Sequence, residues 1–258
     1  MDELDWHVAR AALEWQAEMG ASDAIGDLPI DRYALPVENL QKNSKIVQVN
    51  SAIVLDKTDP IALAKQASTA SENLPELQQA INDFGYCDLQ RGARNLVFSD
   101  GIPSARVMIF GEAPGREEDL EAKPFVGPEG FLLDKMLSAI GLSRQENTYI
   151  ATVIPWRPPQ DRDPQKLEID MMTPFARRHV ELVNPEVLIC MGNTSCVSVL
   201  GKHGVNNFRG QWQEGFNLPV LPMVHPRTLL RQPLRKKQAW QDLLELQSWL
   251  RSRPSKES

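Results

Sequence analysis

The sequence predicts an α/β protein whose parallel sheet is covered by helices on both faces. Two observations carry that expectation. From residue 105 onward, short continuous apolar runs alternate with helical segments. Val107–Phe110 precedes Leu132–Ile140, and Tyr149–Ile154 precedes Ile169–Val183. Val187–Met191 then precedes Val197–Leu200, and Val220–Val224 precedes Leu234–Leu250. Apolar runs without polar alternation are strands buried on both faces, and strands separated by helices run parallel. The second observation is scale: 258 residues, 42% hydrophobic and 24% charged, suffice for one large core or two small ones.

Ahead of this pattern, Leu4, Val8, Ala11, Trp15 and Met19 repeat at helical spacing, and Gly20 stops the run. Residues 21–60 lose any sustained period and gather Pro29, Pro36 and Pro60, which reads as a linker. Residues 61–82 are helical again. The expected organisation is a helical N-terminal extension with linker over 1–83, an α/β domain over 84–252, and a disordered tail over 253–258.

Composition narrows the setting. No segment reaches the roughly 18 consecutive apolar residues of a spanning helix, and Asp2, Glu3 and Asp5 replace the basic start of a signal peptide. Cys87, Cys190 and Cys196 are too few and too far apart for a disulfide framework, and none forms C-x-x-C. A reducing cytoplasm is the expected location. The net charge of −6 is unevenly spread: residues 201–258 carry 10 basic against 4 acidic side chains. Phosphate is met by a patch and not by an average, so that stretch suits nucleic acid, although a solvated basic helix has the same composition.

Ligands of parallel sheets bind beyond the carboxyl ends of the strands. The first strand ends in Gly111-Glu112-Ala113-Pro114-Gly115, whose glycines permit a tight turn and close approach of a ligand to backbone N–H groups. It lacks both G-x-G-x-x-G and the Walker lysine pattern. Downstream stand Lys123-Pro124-Phe125-Val126-Gly127 and Gly130-Phe131-Leu132-Leu133. The second strand ends in Arg157-Pro158-Pro159-Gln160-Asp161-Arg162, and the fourth in His225-Pro226-Arg227-Thr228-Leu229-Leu230-Arg231.

In this order and spacing the motifs resemble family 4 of the uracil-DNA glycosylase superfamily, over roughly residues 84–250. The resemblance implies a three-layer α/β/α sandwich with a four-stranded parallel sheet, and hydrolysis of an N-glycosidic bond in DNA. It maps His225 onto the base carbonyl and Phe125 under the flipped base. It also maps Leu229 and Leu230 onto the apolar wedge, beside Arg227 and Arg231 for phosphates. Glu112 suits orienting water or offsetting oxocarbenium charge. Arg162 is assigned to DNA as well, while pairing of Arg157 and Arg162 with Asp161 and Asp163 is the competing use of these charges.

Two kinds of departure from the family matter. The family commonly holds a four-iron cluster on four cysteines. Here only Cys87 stands at the first pair, Trp156 takes the third position, and Asp170-Met171-Met172-Thr173 offers no thiol for the fourth. No cluster, no other cofactor and no metal are therefore expected. Thr152 replaces the asparagine that reads uracil, and Asp161 replaces an asparagine near the attacking water. The leading expectation is a monomeric, monofunctional glycosylase of base excision repair that removes uracil or a related deaminated base. The alternative is a catalytically impaired DNA-binding or repair-scaffold protein on the same fold.

Overall fold

A computed structural model describes residues 59–253, together with Arg10, Trp15 and Gln16. Those three residues are helical, in step with the period expected there. The other residues of the expected first helix, the expected linker up to residue 58 and the expected tail beyond 253 lie outside the described residues. The chain divides into compact units Met1–Val54 and Leu55–Ser258.

In the second unit, α1 (Pro60–Ala70), α2 (Leu74–Asn82) and the short α3 (Leu89–Gly92) lead into β1 (Ser99–Gly101) and β2 (Val107–Gly111). Next come α4 (Arg116–Glu121), α5 (Gly127–Ser138), β3 (Thr148–Thr152), α6 (Lys166–Val183) and β4 (Val187–Met191). The chain finishes with α7 (Asn193–Leu200), β5 (Gln213–Gly215), β6 (Leu218–Met223), α8 (Pro226–Arg231) and α9 (Lys236–Ser252).

The four expected parallel strands are β2, β3, β4 and β6, which pair in parallel in the order β3-β2-β4-β6. The sheet is nonetheless six-stranded, because β1 and β5 add antiparallel edges. Both are three-residue, largely polar segments, Ser-Asp-Gly and Gln-Glu-Gly, too short to show a period. The β5–β6 hairpin turns on Phe216 and Asn217, both at positive φ (48° and 62°), as a two-residue turn of matching twist requires.

Alternate strand residues go to opposite faces and build two cores. Met108, Phe110, Tyr149 and Leu188 pack with Ala64, Leu77, Met171 and Phe175 on the face covered by α1, α2, α6 and α7. Val107, Ile109, Ile150 and Ile189 pack with Leu133, Leu137, Leu243 and Leu246 of α5 and α9. The result is the expected three-layer sandwich, with β2 and β4 buried throughout.

The boundary expected at residue 83 moves. Ala64, Leu77 and Ile81 are buried in the first core, and Arg178 of α6 donates to the Ser71 carbonyl at 2.9 Å. α1 and α2 therefore belong to the compact domain, because their apolar faces supply part of the layer over α6. Among the described residues, no helix is long and apolar enough to cross a membrane.

Candidate active site

The carboxyl ends of the four parallel strands open on one cleft of about 710 Å3, to which every strand-end loop contributes. Glu112 follows β2, Asp161 and Asp163 follow β3, Asn193 and Thr194 follow β4, and Arg227 follows β6. This is the place the parallel topology reserves for a ligand.

Glu112 is anchored on the first turn of α7, where the Thr194 N–H donates to its Oε1 at 3.1 Å. The positive end of the helix favours an anion there. Gly192 makes the approach possible: it sits at φ +101°, and a Cβ on it would lie 2.3 Å from the Glu112 carboxyl carbon. Burial pushes the Glu112 carboxyl above its ordinary range, against the opposing pull of the Thr194 N–H and Arg227.

His225 caps α8, its Nδ1 accepting from the Arg227 N–H at 3.2 Å. Nδ1 is thereby an acceptor, so the neutral ring carries its proton on Nε2 and can donate from there. Burial, with Arg227 in support, holds His225 down to about 3, so the ring is neutral at ordinary pH. Phe125 stacks on it, with ring centroids 5.1 Å apart and planes at 23°. Phe125 itself sits at φ +52°, and Gly111 leaves it room, since a Cβ there would stand 2.7 Å from its ring. Glu118 pins this loop: it accepts from the Phe125 N–H and, at 2.6 Å, from the Gly115 N–H. Arg144 adds a third tie by donating to the Phe125 carbonyl at 2.9 Å.

Several expected site residues stand elsewhere. Thr152 does not line the cleft; its hydroxyl donates to the Val97 carbonyl at 3.2 Å and faces the interior beside Phe98 and His179. A hydroxyl has one proton, and the local backbone takes it. Leu229 is buried with Val224 and Ala239, which excludes it as a wedge, whereas Leu230 is 40% exposed on the cleft rim. An α-helix turns neighbouring residues by about 100°, so only one of the pair can face out. Arg162 forms a two-pronged ion pair with Glu168 at 2.6 and 2.9 Å, and so is committed to α6 in this structure. Asp161 does line the cleft, but Arg157 forks onto it at 2.6 and 3.1 Å and holds its carboxyl below the ordinary range. Gly115 and Arg231 line the cleft too, while Ala113 and Pro114 border a small recess beside it. Phe125, His225 and Gly111 lie behind the lining rather than in it.

Other cleft residues escaped the motif reading. Glu118 carries a weak signal, since it stands three residues after Gly115 at capping-box spacing. Asn193 and Thr194 follow a buried strand and a glycine, a strand-to-helix junction like that after β2. Glu129 accepts from the Arg227 Nε at 2.7 Å, and its Oε2 stands 3.8 Å from His225 Nδ1. His203 enters from an irregular segment without any sequence signal.

The side chains at the positions of the family's cluster do not fit an iron-sulfur centre. Cys87 is a lone buried thiol there, one ligand where a cluster needs four. Trp156, Met171 and Met172 fill the same apolar core. Cys190 and Cys196 lie on β4 and α7, and all three cysteines are free.

Comparison with known proteins gives the chain its family. The family model described as the uracil DNA glycosylase superfamily matches residues 98–244. The Type-4 uracil-DNA glycosylase of Saccharolobus solfataricus is 32% identical over 193 residues, 71% of this chain and 89% of that protein. Its counterpart in Archaeoglobus fulgidus is 33% identical over 171 residues, 63% of this chain and 85% of that protein. That of Thermotoga maritima is 32% identical over 168 residues, 63% and 86% of the two chains. With the family model matched over residues 98–244 and a relative 32% identical over 71% of this chain, the chain belongs to the uracil DNA glycosylase superfamily.

Proposed function

We propose that this chain is a monofunctional DNA glycosylase that hydrolyses the bond between uracil, or a related deaminated base, and deoxyribose, acting as a cytoplasmic monomer in base excision repair. One observation carries the reading: the half-buried Glu112 carboxylate, held by a helix N-terminus, lines one strand-end cleft, and a neutral imidazole whose Nδ1 is already an acceptor stands behind that lining. The relatives named Type-4 uracil-DNA glycosylases support the choice of uracil.

The reaction breaks the C1′–N bond, leaves the electron pair on the base and joins water oxygen to C1′. Negative charge grows on the base carbonyls while positive charge grows on the sugar. A neutral N–H donor on the base side and a carboxylate on the sugar side answer those two charges, and His225 and Glu112 have that chemistry. Of the two carboxylates, Glu112 is the better proton acceptor from water. Burial raises its proton affinity, whereas the Arg157 fork lowers that of Asp161. Water as nucleophile leaves no need for a lysine Schiff base, so no lyase step accompanies excision.

Duplexes carrying a single uracil, hypoxanthine or xanthine test this after alkaline cleavage of abasic sites. Breaks at uracil are the expected result. Binding to every duplex without breaks in any would overturn the reading in favour of a scaffold.

A further inference from the structure

The motif reading treats Arg227 as a phosphate contact, but its surroundings argue otherwise. Its Nε is fixed by Glu129 at 2.7 Å, and its Nη2 lies 3.2 Å from where a Cβ on Gly115 would stand. The guanidinium thus reaches across the cleft from the start of α8 to the turn after β2. Glu129, Glu118 and Glu112 are its charged neighbours, and Asp161 also feels its charge. A DNA phosphate brought to this arginine would be brought up to four carboxylates. An exposed rim arginine such as Arg231 meets a phosphate at far lower cost.

Among the described residues, Nε is the one guanidinium donor of Arg227 with a hydrogen-bond partner, so the Nη donors are available to a ligand. The cleft is lined by Arg227, while the imidazole of His225 lies behind it under Phe125. Arg227 is also the residue whose backbone N–H sets the His225 tautomer.

We infer that Arg227 is a further catalytic residue: its Nη donors bind a carbonyl oxygen of the departing base, and Glu129 is the positioning residue that aims them. The inference rests on the glycosylase reading. A uracil base is neutral before reaction and anionic only as the C1′–N bond breaks, so a fixed cation stabilises the transition state more than the bound substrate. The arginine keeps its protons throughout. The electron pair of the broken bond spreads over the base ring and its carbonyls, the water proton goes to Glu112, and the released anion takes a proton from solvent.

Leaving-group dependence tests the assignment. Single-turnover excision from duplexes carrying uracil or 5-fluorouracil is measured for the wild type and for Arg227→Ala and Arg227→Gln. The salt dependence of binding to the abasic product is measured in parallel. 5-Fluorouracil leaves as a more stable anion and needs less help. The expected result is a loss of about a hundredfold on uracil, the scale of one lost donor to developing charge, and a clearly smaller loss on 5-fluorouracil. The slope of log K against log salt should stay unchanged. Glu129→Ala should reproduce the base-dependent loss in milder form, and Glu129→Gln, which still accepts from Nε, should restore part of it. These two variants keep the guanidinium and decide the matter if both arginine variants fail to fold. Equal losses on both bases, or a slope reduced by about 0.9 as for one lost phosphate contact, would overturn the assignment. Wild-type protein inert on both bases would remove the glycosylase reading and this inference together. Active wild type with equal losses would remove this inference alone.

Discussion

At the scale of single residues, the environments of the ionisable groups divide the labour. In the proposed reaction Glu112 acts as a base only when ionised, and burial places its titration above the ordinary 4.5. Excision should therefore fall as pH drops through that raised value, and in Glu112→Gln the residual rate should lose this acid limb. A pH series of single-turnover rates decides it. His225 titrates near 3 and contributes no limb around neutrality. Asp161→Asn should leave the rate near wild type, because an amide still accepts from Arg157 and the depressed carboxylate is a weak base.

The second buried histidine, His179, accepts or donates at 2.8 Å with the Tyr149 hydroxyl, stacks on Phe98, and is held by burial down to about 3. Unfolding frees it to bind a proton below 6.5, so between about 6.5 and 3 the unfolded state holds more protons. Stability then rises with pH across that window and is complete above it. His179→Phe should flatten the dependence by up to about 1.4 kcal/mol per pH unit, read from urea midpoints of variant and wild type at matched pH.

At the scale of elements, the short α8 combines two opposed uses of adjacent leucines. Leu229→Ala should cost about 2–5 kcal/mol of stability, as for a filled core position. Leu230→Ala should stay within about 0.5 kcal/mol in stability yet weaken excision from duplex more than from single-stranded DNA, as loss of an inserted wedge would. Chemical denaturation and paired rate measurements separate them. α1 and α2 pose a similar contrast. Removing residues 1–54 should leave the α/β domain folded, whereas removing 1–83 strips the cover from Phe175 and Met171 and should give a molten or insoluble product by near-ultraviolet dichroism.

At the scale of the whole molecule, the carboxylates inside the cleft contrast with the exposed Arg231 at its edge. Glu112, Glu118, Glu129 and Asp161 gather around Arg227 inside, while the C-terminal stretch from 201 carries the basic excess. Phosphates should be met outside the cleft and the base within it. DNA affinity should fall steeply with salt, and Arg231→Ala should reduce the slope by about 0.9, against no change for Arg227→Ala, in fluorescence titrations over a salt series.

The sheet and its strand-end cleft were legible in the chain because buried parallel strands write themselves as continuous apolar runs, and because loops that bend back over strand ends need glycine and proline at fixed places. Val107–Phe110, Val187–Met191 and the turn around Glu112 were readable on those grounds alone. Ser99–Gly101 and Gln213–Gly215 were not, since three polar residues become an edge strand only when a neighbour supplies hydrogen bonds. The placements of Thr152, Leu229, Arg162 and Arg227 were likewise decided by tertiary structure. Side-chain direction and ion-pair partners depend on groups far away in sequence: Val97 for Thr152, Ala239 for Leu229 and Glu129 for Arg227. A motif names the residue types available to a site, and long-range packing decides which of them face it.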